Sequence, residues 1–161
     1  MLKQGDRLFA APKIIGTFTL HDVPLNHNLV LVSTGTGLAP FISMLRTSST
    51  WSPTRNIVVV HGVRFPEDLA YRRELEGYAR DHKNFTYIPV VSRAGPDWTG
   101  RRGHAQKLFT EGVLELSPTT DHVFLCGNPA MIEETQALLE SKGYTAHSKK
   151  HPGTLHLEKY W

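Results

Sequence analysis

Four short aliphatic runs punctuate this chain: Leu29-Val30-Leu31-Val32, Ile57-Val58-Val59-Val60, Ile88-Pro89-Val90-Val91 and Val123-Phe124-Leu125-Cys126. Continuous apolar runs of this length, rich in β-branched residues, predict strands covered on both faces. They place strands over 29–33, 56–62, 85–92 and 122–126, with a short last strand over 155–157. Pro89 lacks an N–H, so its strand should not donate to a neighbour at that position. The intervening segments carry apolar residues at helical spacing. Helices are predicted over 40–47, over 67–82 with Tyr71, Leu75, Tyr78 and Ala79 on one face, and around Ala105, Leu108, Phe109 and Gly112. A further helix opens with Asn128 as N-cap and Pro129 at the first helical position, and closes at Gly143. Strands alternating with helices imply right-handed crossovers and a doubly wound α/β fold, a parallel sheet that binds ligands at the carboxyl ends of its strands.

Residues 1–25 break this rhythm. Arg7-Leu8-Phe9-Ala10 and Thr17-Phe18-Thr19-Leu20 read as two short antiparallel strands, a pair that is marginal in isolation. The segment looks like the end of another domain, which divides the chain into 1–25 and 26–161.

Composition narrows the class without choosing the ligand. With 161 residues, 40% of them hydrophobic and 20% charged, the chain has enough material for one packed globular domain. No stretch approaches the roughly 20 apolar residues of a membrane span, and the first residues lack the apolar core of a signal peptide. One cysteine, Cys126, excludes an internal disulfide and suits a reducing cytoplasm, the expected location. A net charge of +3 suits a phosphorylated ligand or an acidic partner. It is too weak to argue for nucleic acid by itself, and no basic stripe interleaved with aromatics supports that partner. The nine histidines show no metal-ligand spacing. His147, His151 and His156 lie in a Lys-rich region and are expected to be solvated.

The densest chemical signal is Ser33-Thr34-Gly35-Thr36-Gly37-Leu38-Ala39-Pro40-Phe41, directly behind the first strand. Glycines there permit left-handed angles and close backbone approach, Pro40 suits the first turn of a helix, and a helix start attracts anions. The same pattern also marks an ordinary turn, so it gains weight only in company.

That company is present. His61-Gly62-Val63-Arg64, Val91-Ser92-Arg93, Thr99-Gly100-Arg101, Cys126-Gly127-Asn128-Pro129-Ala130-Met131 and Glu158-Lys159-Tyr160-Trp161 follow in order, and over nearly its whole length the chain resembles the carboxyl-terminal half of bacterial ferredoxin (flavodoxin)–NADP reductases. The resemblance implies NADP bound at the strand ends, hydride transfer to FAD, and single-electron transfer to ferredoxin or flavodoxin. The family's flavin-binding barrel should precede residue 1. The chain therefore looks like a truncated reductase whose residues 1–25 are the last barrel strands, expected to carry little or no FAD and to be inactive in isolation.

The resemblance also assigns residues. Thr34, Gly35, Thr36 and Gly37 would hold the pyrophosphate, and Gly127, Asn128, Pro129 and Met131 would line the cofactor site. An NAD binder usually offers an acid near the end of its second strand, whereas here no acid occurs until Glu67. Ser92, Arg93 and Arg101 would surround the 2′-phosphate, with Arg102 and His104 able to add donors. Cys126 would sit beside the nicotinamide, Tyr160 would stack on the flavin, Trp161 would reach toward adenine, and Glu158 would serve as a proton-relay or positioning acid near the flavin. Each has a plainer reading: a solvated basic loop, core filler at Cys126, a frayed aromatic end. A non-catalytic NADP-binding or interaction module, or the reductase component of another flavin-dependent electron-transfer system, remains the alternative.

Overall fold

The structure is a computed structural model that describes residues 3, 5–9, 12 and 16–159. Among these residues six parallel strands form one sheet: β1 (Asn28–Thr34), β2 (Ile57–Val63), β3 (Phe85–Val91), the two-residue β4 (Arg101–Arg102), β5 (Asp121–Gly127) and β6 (Leu155–Lys159). Their spatial order is β4-β3-β2-β1-β5-β6. The helices are α1 (Ala39–Leu45), α2 (Arg72–Asp81), the single-turn α3 (Lys107–Thr110) and α4 (Pro129–Ser141). The doubly wound reading holds, and strand order reverses beside β1, with β2 on one flank and β5 on the other. Such a reversal opens a crevice at the carboxyl ends of the two central strands.

Period-two alternation builds two apolar layers. On one face of β1, Leu29 and Leu31 join Phe41 and Leu45 of α1, Leu75 of α2 and Phe124. On the other, Val30 and Val32 join Leu108 and Phe109 of α3 and Ile132 and Leu139 of α4. Pro89 lies where the sequence demanded. The amide of Ser92 donates to Val63 on the β2 side, so alternation turns position 89 toward the opposite flank, where β4 pairs only Val90 and Val91.

The structure corrects four expectations. Residues 7–9 and 17–20 form no strand pair; Ala10 lies outside the described residues. Instead Phe18 packs on Phe41 and Phe124, with centroids 6.0 and 5.3 Å apart, whereas an isolated two-stranded hairpin is marginal in water. Arg55, 1% exposed, fastens the following residues by donating to the carbonyls of Pro24 and His27, and to that of Thr50. On α2 only Leu75 and the half-buried Tyr78 face the sheet, while Tyr71 and Ala79 are exposed. Tyr71 adopts a left-handed φ of 55° ahead of Arg72, which breaks the helical period assumed across it. The first helix starts earlier than expected, since Gly35–Leu38 form a 3-10 turn that runs straight into α1. Finally, His156 is buried and hydrogen-bonded to buried His122, 3.0 Å between Nε2 and Nδ1, rather than solvated.

Candidate functional site

Three loops meet at the β1/β5 crevice. Gly37 lies so close to the end of β5 that a Cβ there would penetrate the Cys126 carbonyl and the Gly127 Cα. Gly127, at φ 135°, abuts Thr34 in the same way. Thr34 Oγ1 accepts the Asn128 amide at 2.8 Å, tying the two strand ends together. Gly35, at φ 52°, has open space where a Cβ would stand, and it is exposed together with Thr36. The turn is therefore packed from behind by Gly37 and open in front at Gly35–Thr36, the shape of a cradle for a bound group.

His61, named in the sequence without a role, supports this turn. It is fully buried at the end of β2, and its Nε2 lies 3.3 Å from the Gly35 carbonyl. A carbonyl only accepts, so Nε2 carries the proton. Burial holds the ring below the ordinary histidine pKa, against a weaker upward pull from the Gly35 hydrogen bond, so it is neutral at pH 7.

On the β5 side, Asn128 caps α4, its side chain accepting the amides of Ala130 and Met131 at 2.9 and 3.3 Å, and Pro129 occupies the first turn. Met131 departs from expectation: it is 3% exposed and packs in the α3/α4 apolar layer, because the first inward position of α4 faces the sheet. Cys126 is also fully buried, and its Sγ lies 3.8 Å from Oε2 of half-buried Glu158, its partner in the β5–β6 register. The two acid–thiol candidates are thus brought together, with the thiol enclosed. Tyr160 and Trp161 lie outside the described residues.

The basic site stands at the same sheet end, across β2. Taking about 4.8 Å per strand, the β3/β4 border lies about 14 Å from the β1/β5 crevice, a distance that an extended dinucleotide can bridge. Arg93 and Arg101 are exposed there, and among the described residues neither guanidinium is held by an ion pair or hydrogen bond. Ser92 is less available than expected, since its hydroxyl donates to the Val63 carbonyl at 3.3 Å. Arg102, also exposed, is already engaged: its guanidinium donates to the carbonyls of Ala94, Gly95 and Trp98 at 2.8–2.9 Å. His104 is exposed beyond it. A pocket of about 490 Å³ opens beside Arg93, walled by Phe65, Pro66 and Trp98 and bordered by Glu67 and Asp97. No group of three or more His, Cys, Asp or Glu side chains among the described residues forms a metal site, and no described helix is long and apolar enough to cross a membrane.

Comparison with known proteins identifies the kind of domain. Residues 31–137 match the family described as oxidoreductase NAD-binding domain. The chain is 35% identical over 154 residues to ferredoxin–NADP reductase of Pseudomonas aeruginosa, covering 88% of this chain and 60% of that protein. It is 34% identical over 170 residues to flavodoxin/ferredoxin–NADP reductase of Escherichia coli, covering 99% and 67%. A crystal structure of a ferredoxin NADP+ reductase from Neisseria gonorrhoeae with bound FAD and NADP superimposes with a TM-score of 0.78 at 27% identity, over 91% of this chain and 61% of that one. The chain thus spans about 60% of the length of the Pseudomonas relative. The glycine cradle at the strand reversal and the matched span together place this chain in the ferredoxin–NADP reductase family, within the oxidoreductase NAD-binding domain.

Proposed function

We propose that this chain supplies the NADP(H)-binding half of a reductase that exchanges electrons between NADPH and ferredoxin or flavodoxin through FAD. In the same reading residues 1–25 continue a flavin-binding domain and residues 26–161 form the NADP-binding one, working in the cytoplasm. The observation that carries it is the pair of unengaged guanidiniums, Arg93 and Arg101, at the sheet end that also holds the glycine cradle. The residues present fit the dinucleotide. Gly35 and Thr36 present an open turn, and the amides that begin a helix have no partner within it, so they suit a pyrophosphate. Arg93 and Arg101 supply forked cationic donors for a phosphate dianion.

Bound NADPH would supply the hydride. The chain's own task is to hold and orient it. Gly37 and Gly127 let the glycine turn and Thr34 close directly onto the end of β5, which sets the wall against which a ring would lie. Cys126 and Glu158 lie beneath that approach. The buried thiol supports the surface on which the nicotinamide would rest, and the carboxylate beside it is placed to position a neighbouring polar group. Tyr160 and Trp161 retain their assigned place over the flavin and toward adenine as part of this reading.

Glu67 and Asp97 border the same pocket, and a ligand held only through ribose hydroxyls would use them. Calorimetry separates the two readings. The chain should bind 2′-phospho-AMP more tightly than AMP, and Arg93→Ala should lose about 1.5–3 kcal/mol toward 2′-phospho-AMP, roughly tenfold or more. Equal affinity for the two nucleotides would favour the ribose-only site and overturn the assignment of Arg93 and Arg101.

A further inference from the structure

Three arginines crowd the β3/β4 border, and the structure treats one of them differently. Arg93 and Arg101 project from the ends of a loop with no partner among the described residues. The guanidinium of Arg102 sits inside that loop. Its Nη1 donates to the Ala94 carbonyl at 2.9 Å, and its Nη2 to those of Gly95 at 2.8 Å and Trp98 at 2.9 Å. Beside these bonds, Ala94 and Trp98 rest on Val63, Leu69 and Val91, and the Arg93 amide donates to the Arg64 carbonyl at 2.8 Å, which anchors the start of the loop and one side of it. Residues 93–100 contain no helix or strand, and two glycines and a proline interrupt them. Within the loop the backbone contributes the Trp98 amide to the Gly95 carbonyl at 3.2 Å, and the Trp98 indole closes onto the Arg101 carbonyl at 3.0 Å. The Arg72 guanidinium covers the Trp98 ring at 5.4 Å. Arg102 itself is anchored at its backbone, paired with Val91 in the β3–β4 register and followed by the Gly103 amide donating to the Val91 carbonyl.

A planar five-donor fork satisfies several carbonyls that converge from different directions, which a lysine point charge does not reproduce. Nothing acidic among the described residues pairs with Arg102, so its charge also stays in the field around Arg93 and Arg101. We propose that Arg102 is a positioning residue for the 2′-phosphate site: it fixes the loop that spaces Arg93 from Arg101 and never touches the ligand. This rests on the NADP reading of that site. A merely structural clamp on an edge strand would affect all ligands alike; a positioning role acts on the phosphate alone.

The test uses the full chain as wild type, Arg102→Ala, Arg102→Lys and Arg93→Ala, each titrated with 2′-phospho-AMP and with AMP, and followed by amide hydrogen exchange. Arg102→Ala should weaken 2′-phospho-AMP about tenfold, the loss expected for one misplaced charged contact, leave AMP unchanged, and speed exchange over residues 94–98. Arg102→Lys, which keeps the charge and loses the fork, should recover little. Full recovery by lysine would show that only charge matters and would overturn the proposal. So would an unchanged 2′-phospho-AMP affinity in Arg102→Ala, or a parallel loss toward AMP. If Arg93→Ala weakens 2′-phospho-AMP and Arg102→Ala does not, this inference fails alone. If wild type does not distinguish the two nucleotides, the NADP reading fails and takes the inference with it.

Discussion

Gly35 and Gly37 stand one residue apart and meet different demands. Gly35 needs a left-handed backbone with nothing around it, whereas Gly37 needs an absent side chain where the turn abuts the end of β5. Gly35→Ala should therefore cost about 1 kcal/mol of backbone strain. Gly37→Ala meets main chain that cannot swing aside, and should cost about 1–3 kcal/mol as overpacking, with loss of nucleotide binding as the crevice opens. Urea denaturation of both variants measures the difference; a Gly37→Ala protein as stable as wild type would show that turn and strand end do not abut. The motif itself was plain in the sequence, but the division of labour was not, since it depends on what stands opposite each glycine. The same limit applies to Arg93, Arg101 and Arg102. One-dimensional order shows three cations, and only the carbonyls of Ala94, Gly95 and Trp98 show that one of them is committed. The support that His61 gives Gly35 was equally invisible, because the two lie 26 residues apart.

Elements whose signals are local were read correctly, and those that depend on tertiary partners were not. The Asn128-Pro129 start of α4 is an example of the first kind, since the cap is made within three residues. Asn128→Ala should lose about 1 kcal/mol by chemical denaturation while Asn128→Asp retains it, since either oxygen-bearing side chain caps the Ala130 and Met131 amides. No loss in the alanine variant would mean that α4 is held by packing alone. The central strands were legible because two-sided burial leaves a continuous apolar run, and β4 was missed because two arginines carry no apolar signature. The stripe assigned to the α2 region failed at Tyr71, where a left-handed residue resets the period. The predicted N-terminal strand pair gave way to Phe18 and Arg55, whose partners lie on α1, β5 and the turn before β2.

At the scale of the whole molecule, a row of histidines crosses the sheet end opposite the cradle. His122 bonds His156, the His147 ring stacks on His156 at 4.5 Å, and His27 approaches His122 at 5.3 Å. Burial, then the neighbouring His27, His147 and Arg55, push His122 down to about 4, with Asp121 pulling weakly the other way. Burial, then His147 and His122, push His156 to about 3. Between those values and the ordinary 6.5 the unfolded chain binds protons that the folded chain refuses. Stability should accordingly fall as pH drops below about 6.5, by up to about 1.4 kcal/mol per pH unit for each group. Urea midpoints at pH 7 and pH 5 would show it, and a flat profile would contradict neutral burial of the pair. The proposed nucleotide site lies at the other end of the sheet, where the strand reversal, the glycine turn and the basic loop coincide. The most direct measurement is an NMR titration of the chain with NADP+, following backbone amides. The expected shifts fall on Gly35–Gly37, on Gly127 and Asn128, and on Arg93 and Arg101, and AMP should leave the last two less perturbed than 2′-phospho-AMP does. Shifts confined to any other surface, with these amides unmoved at saturation, would contradict the assignment of the NADP site.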